Sequence, residues 1–266
     1  MTSASDQDIP RRVAAGEGFQ WLVAGFRLYR KNPLLLSAAF GVLFGIVTAL
    51  NLVPLIGGSL SQLAMPLMVA GFMAAFRVLD SGKELELPHF LAGVRGPVIP
   101  LVTVGAVQLL GVLMIGQVML AMGFDPQAVM DAAKSGKATP AEMQALMNQS
   151  LPAVLTGFAL FIPLSMATWF APALVLFGGA RPATALGVSL RAVVRNVPAM
   201  LVNSLTLGML LMLANLIPMM LGLLVAMPVL FGSLYASYQA LFAVWADERA
   251  PAENGGPLDA ADDSGG

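Results

Sequence analysis

Cysteine is absent from this sequence. Disulfide frameworks, zinc–thiolate sites, iron–sulfur clusters and cysteine nucleophiles are excluded with it. Histidine occurs once, as His89, so no metal site built on several imidazoles is available. Charge is also scarce. Asp, Glu, Lys and Arg make up 11% of the 266 residues, against about a quarter in an ordinary soluble domain. The long apolar tracts hold almost none of it, so proton or sodium coupling through buried carboxylates lacks the residues it needs. No P-loop, nucleophile elbow, HExxH or dinucleotide fingerprint occurs. The basic residues do not gather into a stripe of the kind that binds nucleic acid.

What is present is apolar. Hydrophobic residues make up 58% of the chain and the mean hydropathy is +0.80. That leaves too little polar surface to cover a water-facing exterior, so lipid is the expected solvent. Six tracts, 33–56, 59–79, 97–123, 151–178, 197–220 and 224–246, reach the ~20 residues that a helix needs to cross a bilayer. Arg77, near the end of the second, is the one charged side chain inside them. Backbone groups in lipid must bond internally, and none of the tracts alternates polar with apolar, so helices are predicted rather than barrel strands. The fold class is all-α: a polytopic membrane protein of six transmembrane helices forming three hairpins. Residues 1–16 and the acidic, Gly/Pro-rich tail 247–266 are expected to be disordered.

The charges orient the spans. With the N-terminus inside, the inner loops and ends receive every basic residue except Lys134 and Lys137. The positive-inside rule then predicts an inner-membrane protein with both termini cytoplasmic. Residues 1–32 carry five basic residues and no uncharged apolar core, so the first span is expected to act as an uncleaved anchor.

The chain also repeats itself. Asn51-Leu52-Val53-Pro54 returns as Asn215-Leu216-Ile217-Pro218, 164 residues later. At the same offset Arg27 meets Arg191, Lys31 meets Arg195 and Asn32 meets Asn196. Ala64-Met65-Pro66 returns as Ala226-Met227-Pro228. Each copy reads as a basic amphipathic lead-in, a helix out, a tight turn and a helix back. Phe90 to Pro97 introduces a third, degenerate copy in the middle. All copies start on the same side, so the repeats are parallel. Asn-x-x-Pro fits a turn in which the Asn side chain satisfies backbone groups and Pro ends the helix.

The lead-in segments are interfacial amphipathic helices by pattern. In 19–31, Phe19, Leu22, Val23 and Phe26 share one face, while Arg27, Arg30 and Lys31 cluster on another. Trp21 and Tyr29 suit the headgroup level. Arg27, Arg30, Lys31, Arg191 and Arg195 are therefore the candidate contacts to anionic lipid headgroups. Between the third and fourth spans, Asp125-Pro126 opens one short helix that should stop near Gly136. Thr139-Pro140-Ala141-Glu142, a capping box, opens a second. The pair is expected to cap the outer face. Pro163 and Pro172 should kink the fourth span.

Candidate chemistry is thin. Asn51, Gln108, Asn215 and Gln239 are the polar residues that would line a cavity between the spans, if there is one. Asp80, Glu84, Glu86 and His89 share a loop without matching a metal or acid–base motif, and Arg77 is expected to pair with Asp80. The 17 Met are spread over all six spans, which favours core packing over Cu(I) binding. No cofactor is expected.

The segments GFQWLVAGFRLYRKNP (18–33), NLVPLIGG (51–58) and AMPLMVAGF (64–72) resemble a family of uncharacterised proteobacterial integral membrane proteins. That family is similar in layout to the membrane domain of some glycerophosphodiester phosphodiesterases. The resemblance implies an inner-membrane location and brings no catalytic residue, because the phosphodiesterase domain itself is missing. The functional expectation is a non-enzymatic scaffold or accessory subunit, working with anionic lipids and a membrane-protein partner. The alternative is a carrier for an uncharged or lipid-like solute.

Overall fold

A computed structural model of the chain describes residues 10–135, 139–218 and 221–248. Among these residues there is no strand, and six helices are long and apolar enough to cross a membrane. The first hairpin is α2 (Pro33–Asn51) and α3 (Gly57–Asp80). The second is α5 (Val98–Ala121), returning as α7 (Pro140–Thr168) and α8 (Ala171–Gly178). The third is α10 (Val197–Asn215) and α11 (Leu223–Glu248). A lead-in precedes each: α1 (Glu17–Tyr29), a 3₁₀ turn (Leu87–Leu91) running into α4 (Ala92–Arg95), and α9 (Pro182–Arg195). The middle hairpin thus also has a lead-in, at the segment Phe90 to Pro97, shorter than the other two.

The turn chemistry follows the repeated phrase. Asn51 Nδ2 donates to the Val47 carbonyl at 2.8 Å and to Ser61 Oγ at 2.9 Å. Asn215 Nδ2 donates to the Leu211 carbonyl at 2.8 Å. Each Asn side chain bonds back to the carbonyl four residues earlier, in the last turn of its own helix. The return helices then start against that turn. A Cβ on Gly57 would lie 3.0 Å from Asn51 Cα, and one on Gly222 only 2.7 Å from Ala214 Cα.

The hairpins are linked in a cycle. Each lead-in helix packs on the return helix of the preceding hairpin: α4 on α3, α9 on α7 and α8, and α1 on α11 and α10, which closes the ring. The return helices α3, α8 and α11 also meet one another at the centre. Burial agrees: 44% of the α3 span and 56% of the α11 span are buried, against 11% for α2 and 17% for α5. Outgoing helices therefore form the lipid-facing rim. Six crossings put residues 10 and 248 on one face, which also holds the lead-in helices; we refer to it as the basic face.

Three equivalent contacts hold the ring. Gly25 of α1 meets the α11 backbone; a Cβ there would lie 2.6 Å from the Gly232 carbonyl carbon and 2.9 Å from the Val229 oxygen. Gly93 of α4 meets the α3 backbone, with a Cβ 2.7 Å from the Leu67 carbonyl carbon. The third copy has Ser189, and its return helix is broken at the contact. Ser189 Oγ accepts from the Phe170 N–H at 3.0 Å and donates to the Met166 carbonyl at 2.8 Å. Those two groups are four residues apart and would bond to each other in an unbroken helix. The break has a cause in Pro172, whose ring clashes with the carbonyl four residues back, at Thr168, where α7 ends. Pro163 sits inside α7 without ending it.

Several expectations change. The capping box at Thr139 and Glu142 forms, with the Thr139 N–H donating to Glu142 Oε2 at 2.8 Å. It opens no separate short helix, because α7 continues from it straight into the fourth span. At 29 residues, α7 is about 44 Å long, so its first turns stand clear of a ~30 Å hydrocarbon layer. Asp125 caps α6 (Pro126–Ser135) as expected, accepting from the Gln127 and Ala128 N–H groups. The stop near Gly136 falls outside the described residues, as do residues 1–9 and 249–266 of the expected disordered ends. Residues 10–16, grouped with the disordered N-terminus, are partly tied down: the Arg11 N–H donates to the Leu241 carbonyl at 3.0 Å.

The crossings make two testable points. Gly25→Ala should lower stability by about 1–3 kcal/mol through overpacking. Gly187→Ala, where nothing lies within 4 Å, should be neutral or stabilising by up to about 1 kcal/mol. Thermal unfolding in detergent would separate them, and equal effects would remove the close crossing as a determinant. By the same assay Ser189→Ala should cost about 1–3 kcal/mol, because it leaves a buried N–H and a buried carbonyl unpaired.

Candidate functional site

α1 presents two faces. Gly18, Trp21, Gly25, Leu28 and Tyr29 are buried against the bundle. Trp21 and Tyr29 are thus inside the protein and not at the headgroup level; Gly18 and Gly25 let the helix come close enough to bury them. The apolar face read from the sequence turns outward instead, with Phe19 and Phe26 about half exposed. Arg27 and Arg30 are exposed on the same helix and its C-terminal cap, with no hydrogen bond or ion pair among the described residues. Outward aromatics beside free guanidinium groups are what an interfacial helix presents to lipid.

The other three basic candidates divide. Lys31 Nζ donates to the Leu79 carbonyl at 2.7 Å, so it caps the last turn of α3. Arg191 is exposed and its Nε donates back to the Gly187 carbonyl at 3.3 Å. Arg195 is exposed and unpaired among the described residues. Asn196, next to it, does something the sequence did not announce. Its Oδ1 accepts from the Val13 N–H at 2.9 Å, and its Nδ2 donates to the Arg11 carbonyl at 3.0 Å. This straps residues 11–13 to the junction of α9 and α10, and places Arg11 and Arg12, both exposed, near Arg195. Its repeat partner Asn32 takes an ordinary capping role, accepting from the Leu35 N–H at 3.3 Å. Alignment with Asn32 hinted at a turn and gave no hint of a strap, because the N-terminal segment lies 183 residues away in sequence.

The four polar cavity candidates are not brought together. Asn51 and Asn215 are consumed by their own turns. Gln108 has no hydrogen-bond partner among the described residues, and is half-buried on α5. Gln239 belongs to a different cluster: its Nε2 donates to Tyr235 Oη at 2.6 Å, which donates to Asp80 Oδ2 at 3.0 Å. The expected Arg77–Asp80 pair does not form. Asp80 takes the tyrosine, and the Arg77 guanidinium sits 5.0 Å from the Phe177 ring centroid. The reason is tertiary: α8 and α11 bring aromatic side chains to the end of α3, and a cation–π contact there replaces the local pair. On both sides of this cluster the axis is packed with rings. Phe72 stacks on Phe231 at 4.6 Å, and Phe177 and Phe242 both pack against Tyr238.

His89 is a capping residue: its Nδ1 lies 3.0 Å from the Glu86 backbone nitrogen, which donates to it. No group of three or more His, Asp or Glu that could hold a metal occurs among the described residues.

Taken together, these features describe an all-α polytopic membrane protein of three parallel hairpins with a closed aromatic axis and a basic face. The chain is similar to a probable inner membrane protein of Burkholderia thailandensis, at 30% identity over 259 residues, covering 87% of this chain and 93% of that protein. It belongs to that protein's family. No known family profile matches the chain, and no solved structure matches it. The likeness in layout to phosphodiesterase membrane domains is without support from these comparisons.

The strap is testable. Asn196→Ala should raise amide exchange at Val13 on the order of fivefold, the effect of losing one hydrogen bond of about 1 kcal/mol. Hydrogen-exchange mass spectrometry in detergent reads it directly, and unchanged exchange would mean that the strap contributes nothing.

Proposed function

We propose that this protein is a non-enzymatic scaffold or accessory subunit of the inner membrane. The basic face is turned to the cytoplasm and engages anionic lipid. The observation that supports this reading is the packed axis: the three return helices meet over aromatic rings in contact. A carrier for an uncharged solute would need a polar path between them, and three of the four polar residues proposed to line it, Asn51, Asn215 and Gln239, are bonded in separate places. The cytoplasmic assignment of the basic face rests on the distribution of Lys and Arg.

Gentle extraction from the native membrane followed by native mass spectrometry should retain a protein partner in fixed stoichiometry. Purified protein in proteoliposomes should drive no solute flux above that of empty vesicles. A partner-free protein that supports flux would overturn the scaffold reading. A fluorescent protein fused after residue 266 should fluoresce and alkaline phosphatase at the same position should be inactive; the reverse would invert the orientation.

A further inference from the structure

The ring has one open seam. Return helix α3 packs along the next outgoing helix α5, and α11 packs along α2. The corresponding pair, α7 and α10, has no comparable contact. A groove of about 540 Å³ lies there, lined by Phe158, Ile162, Trp169, Val197 and Leu201 among others.

Its depth is informative. On α10 the lining runs from Val197 to Ser204, roughly 10 Å from the basic face at 1.5 Å per residue. On α7 it runs from Trp169 back to Phe158, roughly 16 Å on the same rule. The groove therefore opens at the basic end of α10 and is roughly as long as half of a ~30 Å hydrocarbon layer, the thickness of one leaflet. Its volume is within the range of about 300–1,000 Å³ usual for small-ligand sites.

The mouth is basic. Arg195 lies in sequence between the lining residues Val193 and Val197, and the Asn196 strap brings Arg11 and Arg12 to the same junction. Arg195 has no partner among the described residues. At that end of the groove Trp169 lines the wall, with its indole N–H turned into the protein.

We propose that this seam is a binding site for one anionic phospholipid of the adjacent leaflet, with an acyl chain in the groove and the phosphate at Arg195 and the strapped arginines. The site is independent of the scaffold reading, which stands or falls on partner and flux.

The test uses the full chain with Trp21→Phe and Trp245→Phe, leaving Trp169 as the sole indole, reconstituted with phospholipids brominated on the acyl chains. Brominated phosphatidylglycerol should quench Trp169 with a half-maximum at about fivefold lower mole fraction than brominated phosphatidylcholine, and Arg195→Gln should bring the two curves together. Ser204→Phe, which fills the groove and leaves the arginines in place, should also abolish the difference. Coincident curves in the parent protein would reduce the site to ordinary annular lipid and overturn the proposal. Absence of quenching by either lipid would mean that protein occupies the seam, and selectivity surviving Ser204→Phe would put the lipid elsewhere; each also overturns it.

Discussion

Helices in lipid gain no hydrophobic reward for touching one another, because the tails they displace are as apolar as their own side chains. Association must come from close packing and from polar contacts between helices. This protein meets that constraint by bringing backbones together at small residues. Gly25 on α11, Gly93 on α3 and Ser189 at the α7–α8 break occupy equivalent positions in three copies of one unit. Each joins a lead-in helix to the hairpin before it. The ring, the buried return helices and the aromatic axis all depend on those crossings. A buried polar contact reinforces the third hairpin, where Ser233 Oγ donates to Asn203 Oδ1 at 2.8 Å.

The copies have diverged where they touch. Two meet an intact helix, and a glycine suffices. The third meets a helix broken by Pro172, and a hydroxyl replaces the lost backbone bond. The hairpin with the broken return helix is also the one that fails to close on its neighbour. A threefold plan with one exception leaves a lateral opening between α7 and α10, and the N-terminal segment is strapped through Asn196 to the start of α10 beside it. A departure from internal symmetry is a natural place to look for function, since a purely structural ring would have no need of it.

Much of the molecule was legible along the chain because its signals are local. Span number, the Thr139–Glu142 box, the Asp125 cap and the two Asn turns each concern groups a few residues apart. The third repeat was readable too, though only faintly, from Gly93 and Arg95. Failures came where a distant element intervened. Arg77 and Asp80 lie one turn apart and were expected to pair, but α8 and α11 supply Phe177 and Tyr235 instead. The outward surface of α1 carries Phe19 and Phe26, in keeping with its pattern; the face that binds the bundle is marked by Gly18 and Gly25, which hydrophobic periodicity does not weigh. Trp21 and Tyr29 were assigned to the headgroup level for the same reason, and lie inside.

Composition and periodicity were enough to establish a six-span helical membrane protein, its repeats and its basic face, because lipid imposes those features on any chain that crosses it. Which hairpin each lead-in helix would join, that the axis would be packed rather than polar, and that one of three seams would stay open were decided by tertiary structure alone. Those outcomes turn on the fit of backbones at a few small residues and on one proline break. Such contacts join residues as far apart in sequence as Gly25 and Ser233, and pairing at that range leaves no periodic trace in the sequence.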